Sequence, residues 1–510
     1  MPRLSLIFLT LCCQAVFGLT ETVLAARYDG KLTIRVLDQD SQQPIPARMD
    51  LLNSRGRPVR TRPANATTQD NYFVFDGEVT LELRKGHYQF LIEAGPEYQT
   101  RPGHFEIQKN SEDATTITLK RRVNMQAEGW WAGDLDVRLR ADTLPALMRA
   151  TRVNLAPILV RENLRGKCKV ARLPKQFSAP QFGEVVLGPN FAVDHRRGGG
   201  VLLYGPSEKA KTLDVCKLKA DSAETSFEAK VTENTVVALT PYAWDFPIWI
   251  AKGQLDAVQI IHHHALVDDS VDNESWDRKR NKKFFPGKTG NGRWSEKIYH
   301  HLLNCGLRVP PAAGSGAGTN KNPVGTNRVY VQCGEEFSVD HWFAGLKVGK
   351  VMVTNGPLLR TRVSGEPPGH QFQLDQGETR EFQIALDLAF YERAPVEYLE
   401  ILKNGRVEHE IRLDELARKK GRLPPLSFDQ SGWFLVRAIT STTKNYQYAT
   451  TGPYYVEANY RPRISRQSVE FFLTWLEEAK QEFADNADVL ANIETVIPFW
   501  QDLLAKANAD

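Results

Sequence analysis

Residues 128–139, Glu-Gly-Trp-Trp-Ala-Gly-Asp-Leu-Asp-Val-Arg-Leu, restrict the folds open to this chain more than any other stretch. A Gly-rich turn leads into a short strand expected over 135–139. A helix is expected next, with Asp142 as N-cap and Leu144, Leu147 and Met148 along one face. A second apolar run, 154–160, follows at once. Strand, helix and strand in that order make a β-α-β unit and call for an α/β body. Alternate strand residues share a face, so Asp136 and Arg138 are expected to project together.

The segments on either side read differently. Residues 27–122 form short alternating apolar runs (31–38, 48–52, 72–75, 78–83, 88–93, 104–107, 115–120) separated by Pro, Gly, Asn and Asp. That pattern predicts a sandwich of antiparallel strands. Residues 361–458 repeat it, with runs at 371–374, 381–388, 396–403, 408–413, 432–439 and 446–456. An amphipathic helix is expected over 465–483, with Val469, Phe472, Leu476 and Phe483 in phase. A second is expected over 489–497, interrupted or capped at Pro498. The chain therefore divides into residues 1–25, 26–122, 123–360, 361–458 and 459–510.

Arg3 followed by the apolar run 4–11 and its continuation to Phe17 has the form of a secretory signal, with cleavage after Gly18 or Ala25. A secreted or periplasmic protein is expected, with no membrane span. Four cysteines then remain: Cys168, Cys216, Cys305 and Cys333. None pairs as Cys-x-x-Cys, which argues against a zinc knuckle. A Cys168–Cys216 disulfide and buried free thiols both stay open. The formal net charge is +4 with both signs interspersed, which gives no dedicated nucleic-acid surface.

The chemistry-bearing residues lie in the central body. The apolar run 255–261 ends in His262-His263-His264. On an extended strand His262 and His264 share a face, a spacing that can chelate one metal. Asp194 and His195 precede a triple-Gly strand entry and are the next candidates, with Glu162 behind them. The aromatic segment 241–249 reads as core. Residues 268–293 are long and charged, in the manner of a lid or a disordered segment. A helix with Ser295 as N-cap and Gly306 as stop follows.

Gly129-Trp130-Trp131-Ala132-Gly133-Asp134-Leu135 resembles the opening motif of the CehA/McbA-type metallohydrolases of the PHP superfamily. So do the Ala312-Ala313-Gly314-Ser315 turn and Val353-Thr354-Asn355-Gly356-Pro357. The N-terminal turns resemble those of carboxypeptidase-regulatory or transthyretin-like modules. The resemblance implies a PHP-like distorted (β/α)7 barrel between two β-sandwiches with a helical brace. It also implies divalent metals, zinc or manganese, that activate water against ester, carbamate or phosphoester bonds. The family's first motif ends His-x-His, where this chain has Asp136 and Arg138. Its later Asp-x-His falls on Gly316 and Gly318. Arg carries no lone pair for a metal.

The expected metal ligands are therefore Asp136, His262, His264, His195 and Asp194, with Arg138 and Asp134 placed to contact substrate. Two readings stand: a hydrolase with a reduced metal site, or a non-catalytic relative, without metal, that binds an anionic or carbohydrate ligand. Substrate, metal and oligomeric state are not legible.

Overall fold

The computed structural model describes residues 28–170, 181–182, 185–196, 198–205, 214–217 and 234–510. The signal-peptide segment, Cys12 and Cys13, and most of 168–184 lie outside the described residues. The architecture is mixed α/β with most regular structure in strands. Among the described residues no helix is long and apolar enough to cross a membrane.

The N-terminal region packs a three-stranded sheet (Glu78–Leu83, Gly30–Asp38, Glu112–Leu119) on a five-stranded one (Ala66–Gln69, Tyr72–Asp76, Pro46–Asn53, Gly86–Glu93, Arg101–Ile107). Strict alternation supplies the core between them: Ile34, Val36, Met49, Val79, Leu81 and Ile92 are all buried. The other face of Tyr72–Asp76 turns Tyr72 and Val74 onto the helix Leu144–Thr151.

The central body is built around a closed ring of strands. Leu155–Leu164 pairs parallel with Val185–Arg196, which pairs antiparallel with Gly199–Tyr204. Thr235–Ala238 comes next, then Ala257–Ile261 and Pro311–Ala313 in parallel. Closure returns to the opening motif: Gly133 pairs with Leu155, the Leu135 N–H donates to the Ala313 carbonyl at 3.3 Å, and Val137 bridges Ala317. The outer edge continues through Arg328–Gln332, Val351–Thr354 and Tyr448–Thr451 into the C-terminal sheet. One hydrogen-bonded sheet thus crosses the boundary expected near residue 360.

Several local expectations are corrected. The first strand is Trp130–Gly133, and 135–139 only bridges outward from it. The first helix is capped at Thr143 without a side-chain bond, while Asp142 pairs with Arg140. Ser295 is no N-cap: the helix Gly290–Asn304 starts five residues earlier, and the buried Ser295 hydroxyl donates back to the Asn291 carbonyl at 3.1 Å. Pro498 does not interrupt the last helix, which runs Ala487–Ala505. Tertiary packing holds it: Trp500 is fully buried, 4.7 Å from Phe472 ring to ring, and its indole N–H donates to the Pro247 carbonyl. The brace also captures the central body, because Arg278 lies over the rings of Trp475, Phe471 and Trp294. Cys168 and Cys216 are joined, while Cys305 and Cys333 are free.

Arg437 on Gly432–Thr440 bonds Glu296 at 2.9 Å and Glu400 at 2.7 Å, joining the C-terminal sheet to the helix Gly290–Asn304. Arg437→Ala would strand two buried carboxylates. It should cost about 3–5 kcal/mol, read as a lower urea midpoint; an unchanged midpoint would contradict this coupling.

Candidate functional site

The parallel strands of the ring end together, and their C-terminal ends carry Glu162 and the residues after Ile261. Asp136 and Arg138 join them from the segment that bridges Ala317. The Arg138 guanidinium donates through Nε and Nη2 to the two oxygens of Asp136 at 2.7 and 3.2 Å, and through Nη1 to Glu162 at 2.5 Å. Asp136 is fully buried and the Arg138 side chain is 8% exposed. Burial works against the charge on Arg138, but the two carboxylates outweigh it and hold the guanidinium protonated. The expected common projection of Asp136 and Arg138 is met, yet both oxygens of Asp136 face a cation already covalently part of the chain. Arg138 is likewise turned inward and serves carboxylates rather than a substrate.

Asp134 is no substrate contact. It is fully buried, and its oxygens accept main-chain N–H groups of Asp136 (3.2 Å), Ser315 (2.9 Å) and Gly325 (2.7 Å). Burial raises its pKa to about 6, and the donated hydrogen bonds oppose that rise. Asp194 forms a buried two-point pair with Arg196, at 2.7 and 2.9 Å. The Nε2 of His195 accepts the Trp276 indole N–H at 2.5 Å, which occupies that lone pair.

The His triplet leaves the strand as a turn, so the extended-strand geometry does not hold. His262 Nε2 meets the Ser295 hydroxyl at 3.0 Å, and its Nδ1 faces the His264 N–H at 3.4 Å. His264 Nδ1 meets the Tyr242 hydroxyl at 2.7 Å and its Nε2 the Ser275 hydroxyl at 3.4 Å. Buried His263 Nδ1 has no partner, and its ring centre lies 4.2 Å from that of His264. Burial, reinforced by neighbouring positive charge, drives all three rings towards the neutral form, His264 to about 3. The space beside His262 and His264, lined also by Asn291, Tyr446 and Tyr448, is about 10 Å³, room for one water.

These residues do not fit a divalent ion. Among the described residues no group of three His, Cys, Asp or Glu side chains converges as a metal site. A hydroxide-generating centre needs roughly three protein donors and an open position. Gly316 and Gly318 are also closed to a side chain. A Cβ on Gly316 would stand 2.5 Å from the His263 Cβ, and one on Gly318 would stand 2.9 Å from the Arg138 backbone, at φ values of +65° and +93°.

Sequence reasoning missed the lid's architecture. Residues 268–289 are ordered by Arg280, whose guanidinium bonds Asp272, Glu274 and the carbonyls of Phe285 (2.9 Å) and Gly287 (3.1 Å). Its tip seats Ser275 on His264 and Trp276 on His195, and Arg165 covers the Trp276 ring at 3.2 Å. The acidic residues six and eight places before Arg280 were the one available signal. Tyr242 was read as core; it is buried, but it also orients His264.

No family model and no curated protein matches this chain. Among solved structures, the Bacillus anthracis TIE protein is 19% identical over 22% of this chain and 20% of its own, at a TM-score of 0.15. A pilus-presented adhesin is 15% identical over 19% of this chain and 28% of its own, also at 0.15. A Parabacteroides merdae beta-glucuronidase is 7% identical over 82% of this chain and 60% of its own, at 0.17. This chain thus spans 20% of the TIE protein and 28% of the adhesin.

His264 and His301 are both held to about 3 by burial, against an ordinary value of 6.5. Unfolding therefore binds protons between pH 6.5 and about 3. Stability is fully present above pH 6.5 and falls as the pH drops through that window. At pH 4 the loss should be roughly 1–3 kcal/mol per ring, seen as a falling melting temperature whose slope is reduced in His301→Asn. A flat profile from pH 7 to 4 would contradict these burial costs.

Proposed function

We propose that this chain keeps a CehA/McbA-type, PHP-like barrel scaffold in which Arg138 has taken the place of a metal ion, and that it works as a secreted or periplasmic ligand-binding protein. The observation that carries the reading is the Arg138 guanidinium between Asp136 and Glu162. A fixed +1 charge satisfies two buried carboxylates as a cation would, without the open coordination position that makes hydroxide. The closed glycine positions 316 and 318 support the same reading, since no side chain fits where the family's second ligand pair would stand. The ligand expected is anionic, since Lys167, Lys279 and Lys283 lie exposed on the loops at that end of the barrel.

A second reading, a hydrolase with one reduced metal site acting on ester, carbamate or phosphoester bonds, is favoured by one observation. His263 Nδ1 is buried, unpartnered and next to His264. Metal content separates the two. Mass spectrometry after incubation with zinc or manganese should find well under one equivalent per chain, with no turnover of ester or phosphoester probes. One equivalent or more, lost together with activity in His264→Ala, would sink the binding-protein reading. Arg138→Ala should leave buried Asp136 without its cation and Glu162 with only Lys169 at 3.7 Å, destabilising the fold by about 3–5 kcal/mol, and added zinc should recover part of the loss in melting temperature.

A further inference from the structure

Two loops rise at the end of the ring where Arg138 and the histidines lie. One is the hairpin from Leu155–Leu164 to Lys167–Val170, turned at Arg165 and Gly166 with φ of 53° and 76°. The other is the lid, residues 268–289. The parallel pairings place both at the same end of the barrel, and the Arg165–Trp276 stack holds them side by side. Each carries an exposed apolar side chain next to lysines. Phe284 is 71% exposed after Lys282 and Lys283, and Val170 is 67% exposed after Lys167 and Lys169.

Phe284 is presented rigidly. Its N–H donates to the Asn281 carbonyl at 3.1 Å, and that of Lys283 to the Asn281 side chain at 3.0 Å. The next residue, Phe285, packs on Trp294, and its carbonyl is held by the buried Arg280. A turn fixed from beneath thus points a phenyl ring into solvent, so little ordering remains to oppose its burial elsewhere. Lys288 is paired with Asp269, and Lys282 stands 3.8 Å from Asp272. Lys169 likewise stands 3.7 Å from Glu162, so the outward charge comes from Lys167, Lys279 and Lys283, offset by exposed Asp268.

From this juxtaposition we infer that the barrel mouth docks on an anionic lipid surface, with Phe284 entering the acyl boundary and the lysines lying among the phosphates. A soluble polyanion would satisfy the lysines but offer nothing to the exposed Phe284 ring. A bilayer interface meets both demands. This docking does not depend on whether the mouth holds a metal.

The test is co-sedimentation of the purified protein with vesicles of phosphatidylcholine alone and with about a third phosphatidylglycerol. The expected result is binding to the anionic vesicles only, weakening as salt is raised. Phe284→Ser should lower the partition coefficient about fivefold or more. Lys167→Glu with Lys283→Glu should lower it by tenfold or more, at roughly fivefold per lysine. Both sites are exposed, and unchanged melting temperatures would confirm intact folding. Three results would overturn the inference: no binding to anionic vesicles at low salt, vesicle binding indifferent to Phe284, or equal Phe284-independent binding to heparin, which would assign the surface to a soluble polyanion.

Discussion

The carboxylate of Asp134 is the contact on which the central body depends. It has no solvent exposure and accepts N–H groups from three separate stretches, at Asp136, Ser315 and Gly325. The first and last strands of the ring meet at this point, and a buried carboxylate with several N–H donors is a strong charge-assisted clamp. The bonds oppose the burial penalty, yet burial still raises the pKa to about 6. With the ring closed there, Asp136 and Arg138 are delivered two and four residues later to the same end as Glu162.

Closure also decides the chemistry. An arginine among carboxylates needs good geometry to offset the loss of hydration, and three hydrogen bonds supply it. Once it is there, a second cation at the same place meets repulsion and finds no free oxygen on Asp136. The histidines are drawn away in turn: His195 to Trp276, His262 to Ser295 and His264 to Tyr242. Each residue of the expected ligand set has found a protein partner, and the lid that supplies Ser275 and Trp276 is itself organised by Arg280.

Much of the flanking structure could be read from the chain. The alternation at residues 31–38 and 396–403 returned as strands Gly30–Asp38 and Val396–Lys403, because a period of two with one buried face admits little else. The amphipathic helix expected over 465–483 returned as Arg466–Glu482, where Ser465 accepts from the Ser468 N–H as N-cap. Asp142 and Ser295 misled because N-cap residues are recognised by type alone, while the cap used is decided by where packing starts the helix. Pro498 misled because its local cost was outweighed by burial of Trp500.

By itself the sequence determined the β-rich flanks, the β-α-β start and the amphipathic terminal helices. These are properties of periodicity and residue type, which act over a few neighbours. Only the tertiary structure decided that Arg138 turns inward to Asp136 and Glu162, that Asp134 clamps the ring and that Cys168 joins Cys216. It also decided that the histidines leave the strand in a turn instead of chelating from one face. Those outcomes depend on contacts between residues tens to nearly two hundred positions apart. Burial and hydrogen-bond competition, set by the whole fold, chose each partner from several that the local chemistry allowed.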